Sequence, residues 1–253
     1  MSKNSPRTIH AVHITCNIID MLQELNGAGV TELANRLGHS KSTIHSHLRT
    51  LEDHHLVVRE ESGYRLSLRF LDVSSHVRAQ FGNYDIIKNE LDNLAEETGE
   101  VAQFGIEEHG QVSYLYKVAG AQGVETASSV GTQQSIHSTS LGKAILAYLP
   151  DERVNEILDE MGMPRKTENT ITDRTEFFEE LERVRSQGYA TDDEENVDGL
   201  RCIAAPVMGN ESVLGAVSVS GPSSRFSGEV FTEELPSVVK RAANVIELNS
   251  KFA

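Results

Sequence analysis

The chain has 253 residues, no tryptophan, and a net charge of −15 from 38 acidic and 23 basic side chains. That length accommodates two domains, one small and one of ordinary size. Its apolar segments are short and interrupted, which argues against a membrane-spanning helix, and the opening Met1-Ser2-Lys3-Asn4-Ser5-Pro6-Arg7 lacks the apolar core of a secretion signal.

The first element expected is a helix over Ile9–Leu25. Ile14, Ile18, Met21, Leu22 and Leu25 form one stripe, with Val12, Cys16 and Ile19 beside it. Cys16 reads as a small core residue, and Asn26-Gly27-Ala28-Gly29 ends the helix. The cysteines Cys16 and Cys202 stand far apart, so a disulfide framework is not expected and a reducing cytoplasm is the natural compartment.

Thr31 reads as the N-cap of a short helix, Glu32–Leu37, stopped at Gly38. Ser40 then caps a second helix, Lys41–His54, along which Ile44, Leu48 and Leu51 recur at helical spacing and must face a core. Its other face offers Lys41, Ser42, Thr43, His45, Ser46 and Arg49, groups that reach phosphates or base edges, with His47 placed on the same face. Leu56–Arg59 and Tyr64–Leu66 flank a turn at Glu60–Gly63, a hairpin that would set Arg59 and Arg65 against a DNA backbone. The order is that of a winged helix-turn-helix. Two amphipathic helices around a glycine turn also occur in helical domains that touch no nucleic acid, an alternative that the polar second helix and the wing disfavour.

Charge is divided along the chain. Residues 1–80 hold 9 Lys/Arg against 8 Asp/Glu, a balance of +1, and residues 81–253 hold 14 against 30, a balance of −16. Eight of the ten histidines lie in the first part, so its positive charge grows below neutral pH. The acidic, lysine-poor composition is the kind expected in a salt-rich cytoplasm.

A linker helix is expected over Ser67–Phe81, its apolar Phe70, Leu71, Val73, Val77 and Phe81 exceeding what one small head would bury. From residue 84 the pattern becomes mixed. Helices are expected over Tyr84–Glu97, Leu141–Leu149, Asp151–Met161, Arg174–Gln187 and Glu229–Lys251, the last with Pro236 near its start or breaking it. Strands are expected over Val101–Glu107, Val112–Val118, Val124–Val130, Tyr189–Asp192, Cys202–Met208 and Val213–Ser220. The class is therefore α+β, with a winged helix-turn-helix over 1–66, a linker or dimerisation helix over 67–83, and an antiparallel sheet with flanking helices over 84–253.

Three segments together resemble one family. They are Ser40-Lys41-Ser42-Thr43 with Leu51-Glu52; Ile136-His137-Ser138-Thr139-Ser140-Leu141-Gly142-Lys143-Ala144; and Gly188–Glu195, running through Gly199 and Cys202–Val207 to Ser218–Pro222. Their order and spacing are similar to the IclR-type transcriptional regulators across nearly the whole chain. The resemblance implies a GAF-like effector domain, double-stranded operator DNA near genes of carbon-compound catabolism, a small-molecule effector, and action as a homodimer or dimer of dimers. It places the effector pocket on Asp192, Cys202, Ser218 and Ser220, with main-chain contacts near Ser140 and Leu141.

The residues fit independently. Thr139 or Ser140 would cap a helix whose first amides are free donors for a carboxylate. Ser218 and Ser220, two apart on a strand, face one side, and Asp192 accepts from a ligand hydroxyl while repelling a second anion. A small hydroxy- or keto-acid satisfies these groups. The strand serines filling a face, and Asp192 as one charge in an acidic run, are the plainer alternatives. His137, Asp192 and Cys202 lack the close pairing of metal ligands, so neither metal nor other cofactor is expected. An enzyme is not expected either, because no nucleophile elbow and no phosphate-binding glycine loop occurs. An accessory head on an enzyme, or a protein-interaction domain without ligand, are the competing functions.

Overall fold

The computed structural model describes residues 8–124, 128–210 and 212–250. The chain divides into two compact units, one ending at Gln80 and the other starting at Phe81.

The first unit begins with α1 (His10–Glu24), followed by α2 (Val30–Leu37), α3 (Lys41–Asp53), the hairpin β1 (Val57–Glu60) and β2 (Gly63–Leu66), and α4 (Arg69–Ala79). Its core is one cluster of Ile14, Ile18 and Leu22 from α1, Leu33 and Ala34 from α2, Ile44, Leu48 and Leu51 from α3, and Val57 and Tyr64 from the hairpin. Gly38 ends α2 in a left-handed conformation at φ 69°, which frees the chain to turn at once into α3. There Ser40 caps the helix as expected, its Oγ accepting from the Thr43 amide at 3.1 Å. An isolated bridge between Ala28 and Tyr64 seats the wing against the turn that precedes α2.

Thr31 and Cys16 differ from the sequence reading. Thr31 does not cap α2: the extended Gly29 is the N-cap, the helix starts at Val30, and Thr31 lies exposed in its first turn. Cys16 is exposed, because the buried line of α1 runs through Ile14, Ile18 and Leu22 and turns Cys16 outward. The helix α4 buries no residue, leaving Leu71, Val73 and Val77 exposed and Leu68, just before it, 74% exposed.

The second unit comprises α5 (Tyr84–Thr98), β3 (Val101–Glu108), β4 (Gln111–Ala119), β5 (Gln133–Ser135), α6 (Ser140–Leu146), α7 (Asp151–Met161), α8 (Arg174–Gln187), β6 (Ala190–Asp193), β7 (Leu200–Met208), β8 (Val213–Pro222) and α9 (Leu235–Ser250). A π-helical turn, Val230–Glu234, runs directly into α9, whose second residue is Pro236. The six strands form one antiparallel sheet in the order β5-β4-β3-β8-β7-β6.

Alternation along the strands builds a layer on each face. Val217 and Val219 of β8, with Ile203 and Ala205 of β7, pack with α5 and α9. Ala216 and Ala204 face α6, α7 and α8. The strand expected over Val124–Val130 is absent at its described ends, Val124 and Ser128–Val130, while residues 125–127 lie outside the described residues. The polar segment Gln133–Ser135 takes the edge instead, pairing with Gln111–Ser113.

Candidate functional site

The even positions of β8 that face α6 include Ser218 and Ser220, and cross-strand register gathers the rest. Ser220 pairs with Cys202, Cys202 with Asp192, and Ser218 with Gln103. These residues, with Ser140 and Leu141 at the start of α6, line one cavity of about 270 Å³. All six effector residues expected from the sequence therefore converge on one space. Gln103, Tyr114, Ser128, Lys166 and Asn196 also line it and were not anticipated.

Gln103 organises the sheet wall. Its Oε1 accepts from Ser220 Oγ at 3.2 Å and Ser218 Oγ at 3.5 Å, while its Nε2 donates to Ser128 Oγ at 2.9 Å. At the start of α6 the cap is Thr139, whose Oγ1 accepts from the Gly142 amide at 3.2 Å and donates to the Ser135 carbonyl at 3.0 Å. Gly142 has no room for a side chain, since a Cβ would lie 1.9 Å from the Ile136 carbonyl oxygen. That close approach draws the helix start against the Ile136–Thr139 turn.

The third wall is the loop after β6. Asp192 Oδ1 accepts from the amides of Glu195 at 2.8 Å and Asn196 at 3.2 Å. Thr170 Oγ1 donates to the Glu195 carbonyl at 2.6 Å, and Ser138 Oγ donates to Asn196 Oδ1 at 3.1 Å. Behind the loop, Lys143 is fully buried, pairing with Glu195 and, at 3.3 Å, with Glu180. Burial raises the Glu195 carboxyl against the pull of Lys143.

Burial, and then the charge of Glu195, push the Asp192 carboxyl up to about 7. Lys143 and the two amides oppose that rise. Burial and Asp192 push the Cys202 thiol up, and burial does the same for the Tyr114 phenol. His137 is buried behind the turn with Nε2 3.1 Å from the Pro164 carbonyl oxygen, and burial holds it below the usual histidine range. Among the described residues no cluster of three or more His, Cys, Asp or Glu could hold a metal, and no helix is long and apolar enough to cross a membrane.

In the first unit, Lys41, Ser42, His45, Ser46 and Arg49 are exposed and Thr43 is half-buried on α3; Arg59 and Arg65 are exposed on the wing. Several of these groups are already engaged. Ser42 and Thr43 hydroxyls lie 2.8 Å from Ser40 Oγ, Ser46 donates to the Ser42 carbonyl, and Arg65 pairs with Glu60. His47 does not share the exposed face: its Nδ1 lies 2.8 Å from Thr15 Oγ1 of α1, so it braces the two helices. Arg69 Nη1 donates to the His54 carbonyl at 2.8 Å, tying the end of α3 to the start of α4.

Residues 82–248 match the family model described as "Bacterial transcriptional regulator IclR C-terminal", and residues 11–61 match "IclR helix-turn-helix domain". A "Probable HTH-type transcriptional regulator ArcR" of Halobacterium salinarum is 34% identical over 257 residues, covering 100% of this chain and 98% of the relative. The crystal structure of the Thermotoga maritima IclR is 29% identical, with a TM-score of 0.79 over 95% of this chain and 96% of the other. An IclR homolog from Microbacterium hydrocarbonoxydans, solved complexed with 4-hydroxybenzoate, shares the fold at 19% identity, with a TM-score of 0.82 over 96% of this chain and 100% of the other. The chain belongs to the IclR family of ligand-responsive, DNA-binding transcriptional regulators, which are not enzymes.

Proposed function

We propose that this regulator controls genes for the catabolism of a carbon compound, and that its effector is a small hydroxy- or keto-acid held in the cavity of the second unit. One observation carries the reading: Ser140, Leu141, Asp192, Cys202, Ser218 and Ser220, which the family resemblance names and which come from four separate elements, line the same cavity. Lys166 at its rim adds a cation for a carboxylate, and the serine hydroxyls and Gln103 supply partners for a hydroxyl or keto oxygen. The compound with which the Microbacterium homolog was solved in complex, 4-hydroxybenzoate, is itself a hydroxy-acid.

On the DNA side, Lys41, Ser42, Thr43, His45, Ser46 and Arg49 enter the major groove of operator DNA, Arg59 and Arg65 contact its backbone from the wing, and Thr31 meets a phosphate from the first turn of α2. The working unit is a homodimer or dimer of dimers in the cytoplasm. Within each chain, 1–66 is the head, 67–83 the linker and dimerisation segment, and 84–253 the effector domain. The exposed apolar residues Leu71, Val73 and Val77 of α4 support the dimer. The net charge of −15 and the Halobacterium salinarum relative support a salt-rich cytoplasm, for which the melting temperature should rise in molar potassium chloride.

The test is a fluorescence-anisotropy titration against DNA upstream of the chain's own and neighbouring genes, at several salt concentrations, with and without a panel of small organic acids. Saturable, sequence-selective binding that one acid shifts is the expected result, since an effector acts only through its differential affinity for two states. Selective DNA binding that no acid alters would remove the effector class.

A further inference from the structure

Asp192 is 2% exposed, yet among the described residues it forms no ion pair. Its Oδ1 accepts from two backbone amides, and Oδ2 is the other oxygen of a carboxyl that lines the cavity and that the Cys202 thiol also hydrogen-bonds. The groups around it come from every neighbouring element. Glu195 follows on the same loop, Cys202 is its register partner on β7, and Tyr114 faces it from β4. Lys143 approaches from α6, and Lys166 lies on the cavity rim. Cys202 and Tyr114 are neutral groups driven further from ionisation by burial. Lys143 directs its ammonium to Glu195 and Glu180. Three carboxyl groups, Asp192, Glu195 and Glu180, thus crowd one buried lysine, with Arg183 reaching only the outer oxygen of Glu180 at 2.7 Å. A buried anion without a counter-ion is costly, and such a group takes a proton instead.

We propose that Asp192 meets the effector as a neutral carboxylic acid and donates a hydrogen bond from Oδ2 to the effector's carboxylate, so that binding an anion takes up a proton from solvent. The proposal rests on the effector reading above and assigns to Asp192 the role of a specificity determinant: an uncharged donor accepts an anion that an ionised Asp192 would repel. No bond other than the hydrogen bond forms, and the proton stays on Asp192. Burial and Glu195, which push this carboxyl up to about 7, put the exchange within reach of ordinary conditions. Below that point the donor is already present. Above it, each pH unit costs about tenfold in affinity for an anion, because the proton must be recruited first.

Two measurements on the full chain separate this proposal from the effector reading. The first is an infrared difference titration of the wild type against Asp192→Asn. It should show the C=O band of a protonated carboxyl at pH about 6, lost as pH rises through about 7. The asparagine keeps both the acceptor for the two amides and a donor toward the cavity, so the loop is retained. Absence of the band overturns the proposal with no ligand involved. The second is calorimetric titration with glycolate, pyruvate and 4-hydroxybenzoate between pH about 5.5 and about 8.5, in buffers of different ionisation heat. The expected result is binding of at least one acid with uptake of about one proton above pH about 7, a pH-independent affinity for Asp192→Asn, and loss of binding for Asp192→Ala. An acid that binds with no proton uptake and a flat pH profile overturns the proposal while leaving the effector reading intact. Failure of every acid at every pH, with the carboxyl band present, overturns the effector reading and the proposal with it.

Discussion

The two units display their polar groups in opposite ways. On α3 the candidate DNA-reading groups stand in solvent above a buried stripe of Ile44, Leu48 and Leu51 that fixes their positions. In the second unit the candidate effector groups are buried, and among them Ser218 and Ser220 already have a protein partner in Gln103, and Asp192 in two amides. Folding and recognition are therefore separable on the head and inseparable in the cavity. A surface side chain on α3 changes affinity alone, whereas a cavity side chain changes stability and binding together.

The sharpest test of that contrast is Lys143→Met. Removing the cation leaves Glu195 and Glu180 buried without it, which should lower the stability of the second unit by about 3–5 kcal/mol in denaturant titration. The head should retain its helicity. Next in size is Arg49→Ala, expected to weaken operator binding by about 1–3 kcal/mol in anisotropy, with melting temperature and effector affinity unchanged. If both affinities were unchanged, the orientation assigned to α3 would be wrong.

Ser40→Ala crosses the division, since it removes a cap beneath the reading face. It should destabilise the head by about 1 kcal/mol, and Ser40→Asp should recover most of that loss in the same thermal assay.

A pair of opposed pH slopes is expected within the second unit. His137 is held below 6.5, so under that pH the unfolded chain binds a proton that the folded chain does not, and stability falls as pH falls. Asp192 is raised from 3.8 to about 7, so the folded chain binds the extra proton in that window and stability falls as pH rises through it. His137→Gln should remove the acid-side slope and Asp192→Asn the other. A common slope in both variants would break the assignment.

The legible parts of the sequence were those governed by local geometry. Ser40 as a cap, the buried spacing of α3 and the shared face of Ser218 and Ser220 each depend on a few adjacent residues. Thr31 misled because Gly29 can adopt the extended cap conformation without a side-chain hydrogen bond, which moves the helix start back to Val30. The edge strand was misplaced because apolar alternation suggested Val124–Val130, while the edge needs only backbone pairing and takes the polar Gln133–Ser135. Gln103, Tyr114 and Lys166 reach the cavity from segments whose own patterns read as ordinary strand or loop, and only the register of the sheet brings the first two there. His47 resembled its exposed neighbours until the packing of α1 supplied Thr15 as its partner.

The outward turn of Cys16 has a practical consequence. The chain holds two cysteines, and the other, Cys202, is buried in the cavity wall. A maleimide dye applied to the native protein will therefore mark α1 and spare the cavity. If two copies associate as proposed, a donor on one and an acceptor on the other would report the spacing of their heads by energy transfer, and a titration with the proposed acids would test whether occupancy changes it without a single engineered residue.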